Sequence, residues 1–131
     1  MYNNTGKSWI LARDIENWSF GSALDQKREL AVKSREREYE VAGCTIISSP
    51  LESPYSYPQI QKIIKLASER KIDALFIVRR KYLSEDIQAV NQFIDTLNEN
   101  GVAVYDIEGN IHDQIWYREQ TEAETGDIRK N

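Results

Sequence analysis

The chain has 131 residues, 40% hydrophobic and 29% charged, with a formal net charge of −4. That length fits one domain with one core. The acidic balance argues against binding nucleic acid through bulk charge, which needs clustered Lys and Arg. No apolar run nears the roughly 18 residues of a membrane helix, MYNNTGKSWI lacks a signal-peptide pattern, and Cys44 is alone, so no internal disulfide or Cys-based zinc set is expected. A cytoplasmic, reducing setting follows, with Cys44 read as a packed thiol.

In chain order, SWILAR (8–13) reads as a strand and DIENWSFGS (14–22) as a loop. Ser22 is placed to cap a helix from Ala23 to about Ala42, closed by Gly43. Within it, KSREREYE (33–40) reads as a solvated face with Arg/Glu pairs. CTIIS (44–48) is a second strand and SPLESPYSY (49–57) a loop. Pro58 suits the first turn of a helix whose Ile60, Ile63, Ile64 and Ala67 share one face. DALFIV (73–78) is continuously apolar, as in a strand covered on both sides. Ser84 is placed to cap a helix burying Ile87, Val90, Phe93, Ile94 and Leu97; NENG closes it and VAVYDI (102–107) is a fourth strand. From Ile111 onward an amphipathic piece (Ile111, Ile115, Trp116) gives way to a polar tail. The alternation predicts a three-layer α/β domain over residues 1–110, a mostly parallel sheet of four to five strands with helices on both faces, followed by a C-terminal segment, 111–131.

Open parallel sheets bind ligands beyond the C-terminal ends of their strands. Those ends offer Arg13, Asp14 and Glu16; Ser48 and Ser49; Arg79, Arg80 and Lys81; and Asp106 and Glu108. No G-x-G-x-x-G follows the first strand and no G-x-x-x-x-G-K-[ST] occurs, so no dinucleotide or P-loop cofactor is expected. A phosphorelay receiver would need an Asp at the third strand end, which is basic here. His112 is the only histidine, without an evident triad or metal partner, and no metal site is expected. Arg13, Arg79, Arg80 and Lys81 are the anion-site candidates. The trio reads mainly as solvated charge pairing with Glu85 or Asp86, and Arg13 as held by Asp14 or Asp106.

The motifs LAR (11–13), LDQ (24–26), AGCTIIS (42–48), YPQIQKIIKLA (57–67), DALFIVRRKYLSE (73–85) and NGVAVYDIEG (100–109) together resemble the N-terminal catalytic domain of the serine recombinases: resolvases, invertases and large serine integrases. The resemblance implies that fold and, in working relatives, a serine that attacks a DNA phosphodiester inside a cage of guanidinium groups. It also implies losses. Ile15 stands at the nucleophile's position, Tyr57 at the loop arginine's, Lys81 at the third-strand aspartate's, and Tyr82 and Glu85 at those of two more arginines; Arg13 and Gln26 are kept. A carboxylate where a guanidinium should sit reverses an interaction on the order of 4 kcal/mol at ~4 Å and an effective dielectric near 20.

No catalytic residue is therefore expected; Ser19 and Ser22, and Ser84 at the start of the following helix, are the serines considered as a displaced nucleophile. The residues after the fourth strand leave no room for a helix-turn-helix or zinc module, so sequence-specific DNA binding by this chain alone is not expected. The implied function is a catalytically inactive, regulatory or protein-binding domain, self-associating or binding a true recombinase, in a phage or mobile-element setting. The alternative is a diverged site-specific recombinase with a relocated serine.

Overall fold

A computed structural model describes residues 6–14, 22–47, 58–84 and 86–112. Among the described residues there are five strands and three helices, in the order β1 (Lys7–Arg13), α1 (Ala23–Glu36), β2 (Glu40–Ile47), α2 (Pro58–Ser68), β3 (Ala74–Ile77), α3 (Ile87–Glu99), β4 (Ala103–Tyr105) and β5 (Ile111–His112), with a 3₁₀ turn at Arg80–Tyr82 between β3 and α3. They form one sheet of order β2-β1-β3-β4-β5, parallel except for the last pair. The expected α/β architecture is thus present. The expected boundary at residue 110 falls inside a hairpin, because Ile111–His112 pair antiparallel with Val104–Tyr105.

Alternation along the central strands divides the core. Leu11, Leu75, Ile77 and Val104 join Ile60, Ile63, Ala67, Val90, Phe93, Ile94 and Leu97 under α2 and α3. Ile10, Ala74, Phe76 and Tyr105 point the other way, with Leu30 of α1. β3 is buried at all four residues, as its unbroken apolar run requires. Two predicted core positions differ. Ile64 is half-buried and Ile87, in the first turn of α3, is 41% exposed.

The helix ends explain where the sequence pattern misleads. All three helices close in the same way, with crossed backbone bonds back to the last turn and a left-handed residue between them. In α1, Tyr39 N–H donates to the Ser34 carbonyl and Glu38 N–H to that of Arg35, with Glu38 at φ 65°. In α2, Lys71 and Arg70 donate to Leu66 and Ala67, with Arg70 at φ 59°. In α3, Val102 and Gly101 donate to Leu97 and Asn98, with Gly101 at φ 81°. Only the third stop carries the glycine that marks such an end in a sequence. So α1, predicted to run to about Ala42, stops at Glu36, and β2 starts four residues earlier than expected. Tyr39 draws the chain back to the sheet: its ring lies edge-on to Phe76 (centroids 5.9 Å apart) and next to Tyr105.

Gly43 therefore ends no helix. It sits within β2 opposite Trp9, just past a register shift between Ser8 and Trp9. A Cβ there would fall within contact distance of the Trp9 indole, which is fixed by its N–H donating to Thr45 Oγ1 at 2.8 Å. Ser84 is not the cap of α3 either. Asp86 caps it, accepting from Ala89 N–H, while the buried Ser84 hydroxyl accepts from Asp86 N–H at 3.0 Å.

Two substitutions test this in opposite directions. Glu38→Gly relieves a left-handed side chain and is expected to raise stability by about 0.5–1 kcal/mol. Gly43→Ala overpacks Trp9 and is expected to lower it by about 1–3 kcal/mol. Urea unfolding midpoints at constant slope measure both.

Candidate functional site at the C-terminal strand edge

The exit of β1 is held from two sides. Gln26, fully buried on α1, clips the Arg13 backbone as a neighbouring strand would: Arg13 N–H donates to its Oε1 at 3.0 Å and its Nε2 donates to the Arg13 carbonyl at 2.7 Å. On the β2 side, Asp14 N–H donates to the Ile47 carbonyl at 2.7 Å. The Arg13 side chain crosses to the turn after β3, where Nη1 donates to the Tyr82 carbonyl at 2.7 Å. Arg13 thus joins the first and third strand ends, which are neighbours in the sheet.

The three basic residues of the third strand end have three different environments. Arg79, half-buried, pairs with Glu108 at 2.6 Å. Lys81 is exposed, its ammonium 5.4 Å from the Tyr82 ring centroid. Arg80 corrects the expectation of a solvated trio: it is 8% exposed, its Nε donates to His112 Nδ1 at 2.8 Å, and its Nη1 donates to Asn91 Oδ1. The expected acidic partners also change. Asp86 caps α3, and Asp106, expected beside Arg13, holds His112 and Asn110.

His112, read from the sequence as lacking an evident triad or metal partner, has two buried side-chain partners, Arg80 and Asp106. It is 3% exposed, and its Nε2 lies 2.8 Å from Asp106 Oδ2. A guanidinium has only donors, so the nitrogen facing Arg80 must accept. That fixes the tautomer: Nδ1 carries no proton, and Nε2–H donates to Asp106. A neutral imidazole thus bridges a buried cation and a buried carboxylate.

Asp106 accepts further bonds from the Glu108 and Asn110 backbones, at 2.9 and 3.0 Å, and from Asn110 Nδ2 at 3.2 Å. Burial pushes its carboxyl up, but the bonds from His112 and Asn110 outweigh that and leave it below the ordinary carboxylate value. Sequence reading missed this set because β5 reverses the chain. The one available signal was the Gly109-Asn110 turn between apolar residues, which marks a hairpin.

Of the other expected positions, Ser22 forms a capping box: its Oγ accepts from Asp25 N–H, and the Asp25 carboxylate accepts from Ser22 N–H. Tyr82 is half-buried in the 3₁₀ turn. Ile15, Ser19, Tyr57 and Glu85 lie outside the described residues, as do Ser48 and Ser49. Among the described residues no group of three His, Cys, Asp or Glu is placed to hold a metal, and no helix is long and apolar enough to cross a membrane.

No protein-family model and no curated protein matches the chain. Among solved structures, it is similar to the N-terminal catalytic domain of TP901-1 integrase, with a TM-score of 0.73 and 14% identity over 95% of this chain and 97% of that one. It is also similar to the C-terminal catalytic domain of ISC1926 TnpA, an IS607-like serine recombinase, with a TM-score of 0.58 and 16% identity over 77% of this chain and 69% of that one. The chain has the fold of the serine recombinase catalytic domains, as its motifs imply.

The depressed Asp106 carboxyl gives a pH prediction. A carboxyl with a lower pKa folded than unfolded adds stability above the unfolded value, about 3.9, and that stability is lost as pH falls through the folded value. Asp106→Asn is expected to cost about 2–3 kcal/mol at pH 7. The gap to the unsubstituted chain should narrow below about pH 4, read from denaturant unfolding across pH.

Proposed function

We propose that this chain is a serine-recombinase fold that does not cut DNA and acts through protein contacts, as a regulatory or binding domain. The observation that carries the proposal is the engagement of the arginines at the strand-end edge. Arg13 donates to the Tyr82 carbonyl, Arg79 pairs with Glu108, and Arg80 donates to His112 and Asn91. Phosphoryl transfer to a serine needs guanidinium groups aimed at the developing charge on phosphate. Here they are aimed at acceptors of the chain itself. Lys81 and Tyr82 occupy positions where the family has an aspartate and an arginine, and Ile15 supplies no hydroxyl. Glu108, paired with Arg79, adds negative charge to the same edge.

Ser22 is poorly suited to replace the nucleophile, since its hydroxyl accepts from Asp25 N–H and contacts the Asp25 carboxylate at 3.1 Å. The likeness to catalytic domains of an integrase and of an IS607-like serine recombinase supports a recombination setting in a phage or mobile element; the partner in this reading is a second copy or an active recombinase.

Incubating the purified chain with supercoiled DNA and resolving products under denaturing conditions tests this. No covalent protein–DNA adduct and no nicking are expected. An adduct that disappears on Ser19→Ala or Ser22→Ala would establish the relocated-nucleophile alternative. Light scattering, with and without an active serine recombinase, tests the partner: a defined oligomer or mixed complex is expected, and a strict monomer that binds no recombinase counts against it.

A further inference from the structure

We propose that His112 is a proton-operated latch: as the neutral imidazole it holds Arg80 inside and ties β5 to the turn after β3, and as the imidazolium it releases Arg80. The proposal rests on hydrogen-bond polarity and burial and is independent of whether the strand edge cuts DNA.

The Arg80 Nε–H and the His112 Nδ1 lone pair form one bond of 2.8 Å between two side chains that are each less than a tenth exposed. Protonating His112 places the new proton on Nδ1, because Nε2 already carries one. Two donors and two positive charges then face each other across that distance, and the bond becomes a repulsion. Asp106 decides which partner leaves. Its carboxyl stays ionised to lower pH than an ordinary carboxylate, so it keeps the imidazolium as an ion pair at Nε2 and Arg80 is displaced.

The groups around the imidazole favour that exchange. The turn after β3 supplies Arg80, and the end of β4 supplies Asp106. From α3 come two amides: Asn91 accepts from Arg80, and Asn98 Nδ2 donates to the His112 carbonyl at 3.2 Å. Asp95 lies on the same stripe of α3 between them and is half-buried. Among the described residues, Asp106 is the anion and Arg80 the cation bonded to the imidazole.

Release would reach beyond β5. Arg80 and Tyr82 share one 3₁₀ turn, and the Tyr82 carbonyl accepts from Arg13. Loosening Arg80 therefore frees the turn that joins the β3 exit to the β1 exit. It also removes the bond that ties the His112 ring to the turn after β3, while the His112 bonds to Asp106 and Asn98 stay in place. The latch couples protonation to the outermost strand and to the strand-end edge together.

Nuclear magnetic resonance on the isotope-labelled full chain tests this without substitution. Long-range ¹H–¹⁵N spectra of the imidazole should show Nε2 protonated and Nδ1 bare in the neutral state. As pH is lowered until His112 protonates, exchange of the Arg80 Nε–H with water, corrected for its intrinsic pH dependence, should accelerate at least tenfold. Protection of the Ile111 and His112 amides should fall over the same steps. Arg80→Met should remove that dependence of amide protection on His112 charge. A neutral state protonated on Nδ1, an Arg80 Nε–H unaffected by His112 protonation, or an unchanged dependence in Arg80→Met would each overturn the proposal.

Discussion

A guanidinium can donate hydrogen bonds and never accept one. That constraint organises the C-terminal strand edge of this domain. Arg13, Arg79 and Arg80 leave adjacent strand ends, and each donates to or pairs with an acceptor that the chain itself supplies. The bonds tie the edge together across the sheet: Arg13 from β1 to the turn after β3, Arg79 from that turn to the segment after β4, Arg80 from the same turn to β5. Each of these bonds lies within the chain and joins segments that are far apart in sequence. The same polarity rule fixes the His112 tautomer and makes its protonation an event with structural consequences.

Burial makes these contacts matter. Exposed ion pairs such as Lys7 with Glu40 contribute little to stability. Arg80, His112 and Asp106 lie below a tenth exposure, where an unmatched donor or charge is costly. Their arrangement also ties β5 to the rest of the domain. His112 is anchored by Arg80 and Asp106 through its ring and by Asn98 through its carbonyl.

Much of the fold was legible in the sequence because its signals were local. The unbroken apolar run of β3, the spacing of Ile60, Ile63 and Ala67, and Gly101 after α3 each state their role within a few residues. The end of α1 was not legible, because Glu38 takes a left-handed conformation that only glycine advertises, and Gly43 then looked like a helix stop when it makes room for Trp9. The candidate site divides the same way. The motifs led to Arg13, Gln26 and the basic trio, but their partners depended on tertiary pairing. Nothing in RRK says that the middle residue is buried, and although Gly109-Asn110 hints at a hairpin, nothing local says that it will lay His112 between Arg80 and Asp106.

The most direct measurement is a titration of the labelled chain at neutral pH and moderate salt with inorganic phosphate and with a short DNA duplex, following the guanidinium Nε–H signals of Arg13, Arg79 and Arg80. If these groups are committed within the chain, their signals stay in place or drift without saturation. Saturable shifts centred on Arg13 and Arg79, with loss of the Glu108 pairing, would show that the edge still takes a phosphate and would contradict the inward-directed charge on which everything else rests.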